Sequence, residues 1–365
     1  MIGLDRNPQF LRTAGGMGLI DSREGRYRLL PKLLEKQDFD EIRLHNLVTV
    51  YANEVAPIPQ VVRIVTTAVE RARLRDDRAL SRMRFEDELR SHELDRQRFD
   101  LPQHQEVNRH ETATENGEPF LILPRGSRSL GVVLVHGLLA SPAEVRHFGE
   151  RLGKEGYPVM GVRLKGHGTS PWDLREREWE EWLGSVRRGF GILAPFASRL
   201  CLVGFSTGGA LSLLLAAESP SPLVGVAAAS VPVRLKEPAM IFVPLLHGAN
   251  RVTRWISSLE GVKPFHNHRS EHPHINYSQV PVRSLYELRG MVKALEEKAD
   301  RVGCPTLLLQ GTGDPVVDPD GARLLQRKVG ERTCRLEWVP SSRHGILNED
   351  IAGTQARVLS FLSEL

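Results

Sequence analysis

The stretch Cys201–Ser219, CLVGFSTGGALSLLLAAES, sets one serine between glycines where an apolar run changes its period. The run before the serine, LCLVG, has the length and unbroken apolarity of a buried strand. The run after it, GGALSLLLAAES, is rich in alanine and leucine, both strong helix formers. Gly204-Phe205-Ser206-Thr207-Gly208 therefore reads as strand, sharp turn and helix, with Ser206 at the turn. G-x-S-x-G recurs by chance in many chains; here the context makes it informative, because such a turn holds a serine side chain clear of the backbone at the carboxyl edge of a sheet. The flanking glycines suit a turn too tight for a neighbouring Cβ. Behind Ser206 the helix start offers free N–H groups and a positive dipole end to developing negative charge.

Outward from this point the second two-thirds of the chain repeats one texture. FLIL (Phe120–Leu123), GVVLVHG (Gly131–Gly137), PVMGVRL (Pro158–Leu164), RLCLVGFS (Arg199–Ser206), LVGVAAAS (Leu223–Ser230), PTLLLQG (Pro305–Gly311) and CRLEWVP (Cys334–Pro340) all suit buried strands. Helical stretches separate most of them, and strand alternating with helix specifies an α/β fold with a mainly parallel sheet covered on both faces. The connection from Ser230 to the strand near Pro305 is far longer than a usual loop, and an insertion of that size, at about 231–302, is expected to be a helical cap.

The first part of the chain, residues 1 to about 115, is expected to be a mostly helical accessory region preceding an α/β domain over 116–365. Gly18–Pro31 has the pattern of a β-hairpin around a charged turn at Gly25. From about residue 60 to 100, charges of both signs with sparse apolar residues at helical spacing predict one or two long solvated helices. A hairpin beside helices is also the outline of a winged helix, but no neighbouring helix has a basic recognition face, so no nucleic-acid partner is expected.

Composition narrows the class. With 41% hydrophobic and 26% charged residues, the chain reads as a folded globular protein. The formal net charge of +4 is spread through interspersed residues and forms no single-sign tail. Three cysteines, Cys201, Cys304 and Cys334, are widely spaced and form no CxxC pair, which fits a reducing cytoplasmic setting. No apolar run has the length of a membrane span, and the first residues lack a signal-peptide core.

A nucleophilic serine needs a base, and the base needs an orienting acid. LLLQGTGDPVVDPD supplies Asp314 just past a strand, with Asp318 as the rival acid farther from the strand end. WVPSSRHGILNED supplies His344 in the loop after the last strand. The order Ser206, Asp314, His344 is that of the α/β-hydrolase scaffold. An oxyanion hole requires two N–H groups, expected from Thr207, which follows the serine, and from Leu138, which follows His136-Gly137 at a strand tip. His136 itself reads as a residue that organises this loop. His266, His268, His272 and His274 crowd into the insertion, where Pro273 breaks any helix, and they read as a polar loop; no metal and no cofactor are expected. Pro238–Ile256, PAMIFVPLLHGANRVTRWI, joins an apolar half to a basic one; it suits a cover over an acyl pocket, a peripheral contact with lipid, or simple packing on the sheet.

The joint order of VVLVHGLLASPAEVRHFGERLGKEGYPVMGVRLKGHGTSP, VGFSTGGALSLLLA, GTGDPVV and SRHGILNED makes the chain from about Glu118 to Leu365 resemble α/β-hydrolases of the bacterial carboxylesterase and monoacylglycerol-lipase type. That resemblance implies a cofactor-free serine esterase or lipase acting on a small-molecule acyl ester, with a helical cap and a triad falling on Ser206, Asp314 and His344. It also implies an architectural role for the RLKGHGTSP loop and hence for His167. Thr207 stands where many relatives carry Met. A serine at the elbow argues against the dehalogenases of the same scaffold, whose nucleophile is an aspartate. Arg43–Pro59, RLHNLVTVYANEVAPIP, resembles the C-terminal tails of glycerolipid acyltransferases, although no His-x4-Asp motif accompanies it. Three readings stand: hydrolysis of short to medium chain esters or monoacylglycerols, acyl transfer or thioester hydrolysis by the same serine, and a non-catalytic lipid-binding or scaffold role.

Overall fold

A computed structural model describes residues 15–16, 18–23, 26–31, 63, 66–67, 69–70, 76–236, 265–267 and 270–365. Arg43–Pro59 and Pro238–Ile256 lie outside the described residues. The chain divides into two compact units, Met1–Arg75 and Asp76–Leu365. In the first, β1 (Ile20–Arg23) and β2 (Arg26–Leu29) pair antiparallel, the hairpin that the sequence pattern predicts.

The second unit is built on a seven-stranded sheet. Its strands are β3 (Phe120–Ile122), β4 (Leu130–Val135), β5 (Val159–Val162), β6 (Arg199–Phe205), β7 (Leu223–Ala229), β10 (Thr306–Gly311) and β11 (Cys334–Val339). They correspond one for one to the seven apolar runs. Their spatial order is β11-β10-β7-β6-β4-β5-β3, parallel throughout except for β3, which runs antiparallel to β5 at the edge. β4 lies between β5 and β6, so the chain leaves it first to one side and later to the other. Such a reversal opens a crevice at the carboxyl ends of the two central strands, where ligands of open α/β sheets bind.

Alternation along β4 shows why the runs are apolar without a break. Val132 and Leu134 face α2 (Ala143–Lys154), through Val145, Phe148 and Leu152, and α8 (Thr354–Glu364), through Phe361 and Leu362. Val133 and Val135 face the other layer, formed by α4 (Trp179–Leu193), α5 (Thr207–Ala216) and α6 (Val282–Lys298), with Trp182, Leu211 and Met291 among its buried side chains. Both faces are covered, so neither tolerates alternating polar residues. Short α3 (Pro171–Arg175) follows β5, α7 (Asp320–Val329) precedes β11, and a small antiparallel pair, β8 (Phe265–Asn267) and β9 (Gln279–Pro281), lies within the 231–302 insertion. At the end of that insertion, α6 packs against α4 and α5.

The charged segment before residue 100 holds a helix, α1 (Asp77–Arg98), capped by the Asp76 carboxylate, which accepts the Ala79 N–H at 2.6 Å. Much of its surface is solvated, as the mixed charge predicts, but Ser81, His92 and Asp95 are buried. The helix packs along α4. The Ser81 hydroxyl donates to the Ile192 carbonyl, and His92 Nε2 lies 2.8 Å from the Gly168 carbonyl. The segment is thus a solvated helix that also packs: partners distant in sequence convert one polar line of it into an interface.

Candidate active site

Parallel pairing of β4 with β6 sets Val135 opposite Gly204. The loop beginning at His136 and the turn at Ser206 thus leave the sheet side by side. Ser206 takes φ +51° and ψ −119°, left-handed backbone that a non-glycine residue adopts only under constraint. Its N–H is fixed by the Ala229 carbonyl at 2.8 Å, and α5 begins at the next residue. A Cβ on Gly204 would collide with the Gly208 carbonyl, and one on Gly208 would collide with the backbone of Val135. Both glycines are required by close approach of backbone, and the result is a serine side chain raised at the crevice and only half-buried.

His344 follows β11 and Asp314 follows β10. His344 Nε2 lies 3.1 Å from Ser206 Oγ, and its Nδ1 lies 2.8 Å from Asp314 Oδ2 and 3.1 Å from Oδ1. The Asp314 side chain is fully buried. Burial alone would raise its pKa; the hydrogen bond and charge of His344, with the Val317 and Val316 N–H groups, outweigh burial and hold the carboxyl below its ordinary value. The carboxylate thus stays ionised, which suits it to orient an imidazole and to balance an imidazolium. The His344 backbone is pinned by the Ser230 hydroxyl, which donates to its carbonyl at 3.1 Å, and its ring lies 5.1 Å from that of Phe205. Asp318, the rival acid, instead accepts the Asp320 N–H at 3.0 Å at the start of α7.

Thr207 is buried as the first residue of α5, so its backbone N–H belongs to the turn of amides with no partner inside the helix. Leu138 follows Gly137 in the neighbouring loop. His136 is fully buried; its Nε2 accepts the Leu164 N–H at 3.2 Å and its Nδ1 lies 2.9 Å from the Gly137 carbonyl. A ring nitrogen that accepts from a backbone amide carries no proton, so the proton sits on Nδ1 and donates to Gly137. Burial pushes the His136 pKa down to about 4, which keeps it neutral. His167 is likewise buried and neutral, its ring 5.2 Å from that of His136 and 5.8 Å from that of Trp182. Neither ring reaches Ser206 by a hydrogen bond.

Of the insertion histidines, His266 is exposed and His268 lies outside the described residues. His272 Nε2 lies 2.9 Å from Glu349, and Glu271, His272 and Glu349 have ligand atoms within 4.8 Å of one another. Arg343 already pairs with both carboxylates, at 2.9 Å to Glu349 and 3.5 Å to Glu271, so the group forms an ion network around a resident cation. It ties the insertion to the loop that carries His344.

Three residues that sequence reasoning did not single out tie together the loops that leave the sheet near Ser206. Glu144, in the first turn of α2, is buried and accepts the Gly137 N–H at 2.7 Å. The Tyr277 N–H donates to the Leu139 carbonyl at 2.9 Å, and its hydroxyl receives the Thr169 N–H at 2.7 Å. Asp95 of α1 pairs with Arg163 at 2.7 Å and Lys165 at 2.6 Å, both flanking Leu164. Each contact joins distant segments, and no local pattern announces it.

A parallel sheet with a switch point, a strained serine at its crevice and a Ser-His-Asp chain in hydrogen-bond contact define an α/β-hydrolase. The comparisons agree. The chain belongs to the Hydrolase_4 family, described as serine aminopeptidase, S33, which matches residues 127–351. It is 28% identical over 215 residues to a thermostable monoacylglycerol lipase of Bacillus sp. (strain H-257), covering 59% of this chain and 82% of the relative. It is 25% identical over 236 residues to a carboxylesterase of Bacillus subtilis (strain 168), covering 64% and 92% respectively. Among solved structures, a metagenome-derived lipolytic enzyme from work on LipS and LipT shares the fold with a TM-score of 0.60 at 23% identity, over 69% of this chain and all of the other. No described helix is long and apolar enough to cross a membrane.

Proposed function

We propose that the protein is a serine carboxylesterase or lipase that hydrolyses acyl esters, of short to medium chain or of monoacylglycerol type, through an acyl-serine intermediate. The observation that carries this reading is the unbroken chain from Ser206 Oγ through His344 to buried Asp314 at the sheet's switch point. Relatives named as monoacylglycerol lipase and carboxylesterase support an ester substrate.

In the proposed cycle His344 Nε2 takes the Ser206 proton as Oγ attacks the ester carbonyl. The carbonyl oxygen becomes an oxyanion held by the N–H groups of Thr207 and Leu138. Asp314 fixes the imidazole with Nδ1–H toward itself and balances the imidazolium charge. His344 then protonates the departing alkoxide, leaving an acyl ester on Ser206. Water, deprotonated by the same imidazole, attacks that ester, and as the acyl–Oγ bond breaks the imidazolium returns its proton to Ser206 Oγ, releasing the acid. Acyl transfer to an alcohol differs only in the acceptor, so the proposal extends to it where water is excluded.

The test compares purified wild type with Ser206→Ala on p-nitrophenyl esters from acetate to palmitate and on monoacylglycerols. Activity abolished in the variant, with an optimum at short to medium chain length, is the expected result. Wild type inert on every ester, or a variant as active as wild type, would overturn the reading.

A further inference from the structure

The Gly137–Leu138 peptide and the peptides on either side of it are held at three points. Its carbonyl belongs to Gly137 and its N–H to Leu138, and in a planar trans peptide the two point opposite ways. The His136 Nδ1–H bond to the Gly137 carbonyl, 2.9 Å, therefore fixes the direction of the Leu138 N–H. The preceding peptide is fixed by Glu144, whose Oε2 accepts the Gly137 N–H at 2.7 Å. Beyond it, Leu139 adopts φ +68°, and its carbonyl is held by the Tyr277 N–H at 2.9 Å. A leucine in left-handed backbone persists only where its surroundings over-determine it.

Among these ties Glu144 stands apart chemically. It is a buried carboxyl, 7% exposed, that reaches back from the first turn of α2 to close the base of the loop 137–144. A Cβ on Gly137 would already lie 3.4 Å from this carboxylate and equally close to the Phe205 ring. The carboxyl thus fills the space between the loop and the residue preceding Ser206. Burial raises its pKa to about 7, against the opposing pull of the Gly137 hydrogen bond.

We propose that Glu144 is a positioning residue for the reaction: together with His136 it locks the Gly137–Leu138 peptide so that the Leu138 N–H stays aimed at the oxyanion. This rests on the acyl-serine reading and deepens it. Glu144 touches neither substrate nor the reacting atoms; it acts through Gly137. A donor that is already oriented needs no reorganisation when charge develops, and such preorganisation is what makes an oxyanion hole effective.

The experiment measures kcat and KM on a p-nitrophenyl ester for wild type, Ser206→Ala, Glu144→Gln, Glu144→Asp and Glu144→Leu, with far-ultraviolet circular dichroism on each. Glutamine keeps an acceptor oxygen at the same reach, so Glu144→Gln is expected within about threefold of wild type. Aspartate is one methylene short and leucine offers no acceptor; both are expected to lose about 10–10²-fold in kcat, approaching the cost of removing an oxyanion donor, with KM within about threefold. The rate of Ser206 phosphorylation by paraoxon, with loss of p-nitrophenolate, is expected to fall in parallel, because that step also develops charge in the hole. Should Glu144→Leu fail to fold, Glu144→Asp carries the comparison. Kcat retained in the folded Asp or Leu variant, or a Gln variant as impaired as Asp, overturns the proposal. The separate outcome of an active Ser206→Ala would overturn the acyl-serine reading instead.

Discussion

Asp95, on a helix upstream of the matched family region, lies 2.7 Å from the guanidinium of Arg163, whose side chain is 1% exposed. The same carboxylate also meets Lys165 at 2.6 Å and Arg177 at 3.7 Å. One acid thus serves three cations around the loop after β5. Burial alone would raise the Asp95 pKa, but hydrogen bonds from Lys165 and Arg163 outweigh it and hold the carboxyl below its ordinary value. Removing it leaves a buried guanidinium without its partner. Asp95→Ala is expected to lower unfolding free energy by about 3–5 kcal/mol, the usual cost of breaking a buried pair from one side. Urea denaturation of the two proteins measures it, and a loss under about 1 kcal/mol would show that water takes the place of the carboxylate.

Asp314→Asn tests the orienting acid without emptying its space. The asparagine oxygen still accepts from Val316 and Val317, whose N–H groups lie 2.9 and 3.0 Å from Oδ1. The amide no longer balances an imidazolium, and it offers His344 Nδ1–H a poorer acceptor. Kcat on a p-nitrophenyl ester is expected to fall by about 10⁴-fold, with thermal stability little changed. A fall of less than tenfold would assign the orienting role elsewhere.

His136 makes stability depend on pH. Its pKa falls from 6.5 to about 4 because burial disfavours the charged ring. In the unfolded chain the imidazole binds a proton as pH drops through 6.5; in the folded protein it resists until about 4. The unfolded state therefore binds more protons in this window, so stability present above pH 6.5 is lost as pH falls toward 4. The full interval corresponds to about 3 kcal/mol. Unfolding free energies of wild type and His136→Gln at several pH values check this: wild type is expected to lose stability relative to the variant on acidification, and a constant difference contradicts it.

Glu144 works in the opposite direction. Its pKa is raised from 4.5 to about 7, so the folded protein keeps a proton that the unfolded chain has already released. Its contribution to stability is fully present below pH 4.5 and declines as pH rises to about 7, again by about 3 kcal/mol. Glu144→Gln lacks this slope. Relative to wild type the variant is expected to gain stability from pH 5 to 7.5, and parallel curves would show that the carboxyl titrates normally.

Much of this architecture was legible in one dimension because its cause is local. A strand covered on both faces must be apolar at every residue, which is why β4 and β5 read as unbroken apolar runs, whereas the edge strand β11 carries an exposed Arg335 and a half-buried Glu337. The turn at Ser206 was readable because Gly204 and Gly208 stand where backbone crosses backbone. The order of Ser206, Asp314 and His344, each just past a strand, followed from where side chains leave a parallel sheet. α1 was harder to read: mixed charge describes its solvated face, while the partners of Ser81, His92 and Asp95 lie from 68 to 111 positions away along the chain.

What the sequence determined by itself is therefore the α/β class, the strand inventory and the residue types able to form a nucleophile, a base and an acid. Tertiary structure alone set Asp314 rather than Asp318 against His344, which it meets at 2.8 Å, while Asp318 accepts the Asp320 N–H. It also set the contacts of Glu144, Tyr277 and Asp95. Hydrophobic periodicity is written residue by residue, whereas a hydrogen bond between distant segments exists only once the chain has folded and brought its two ends together.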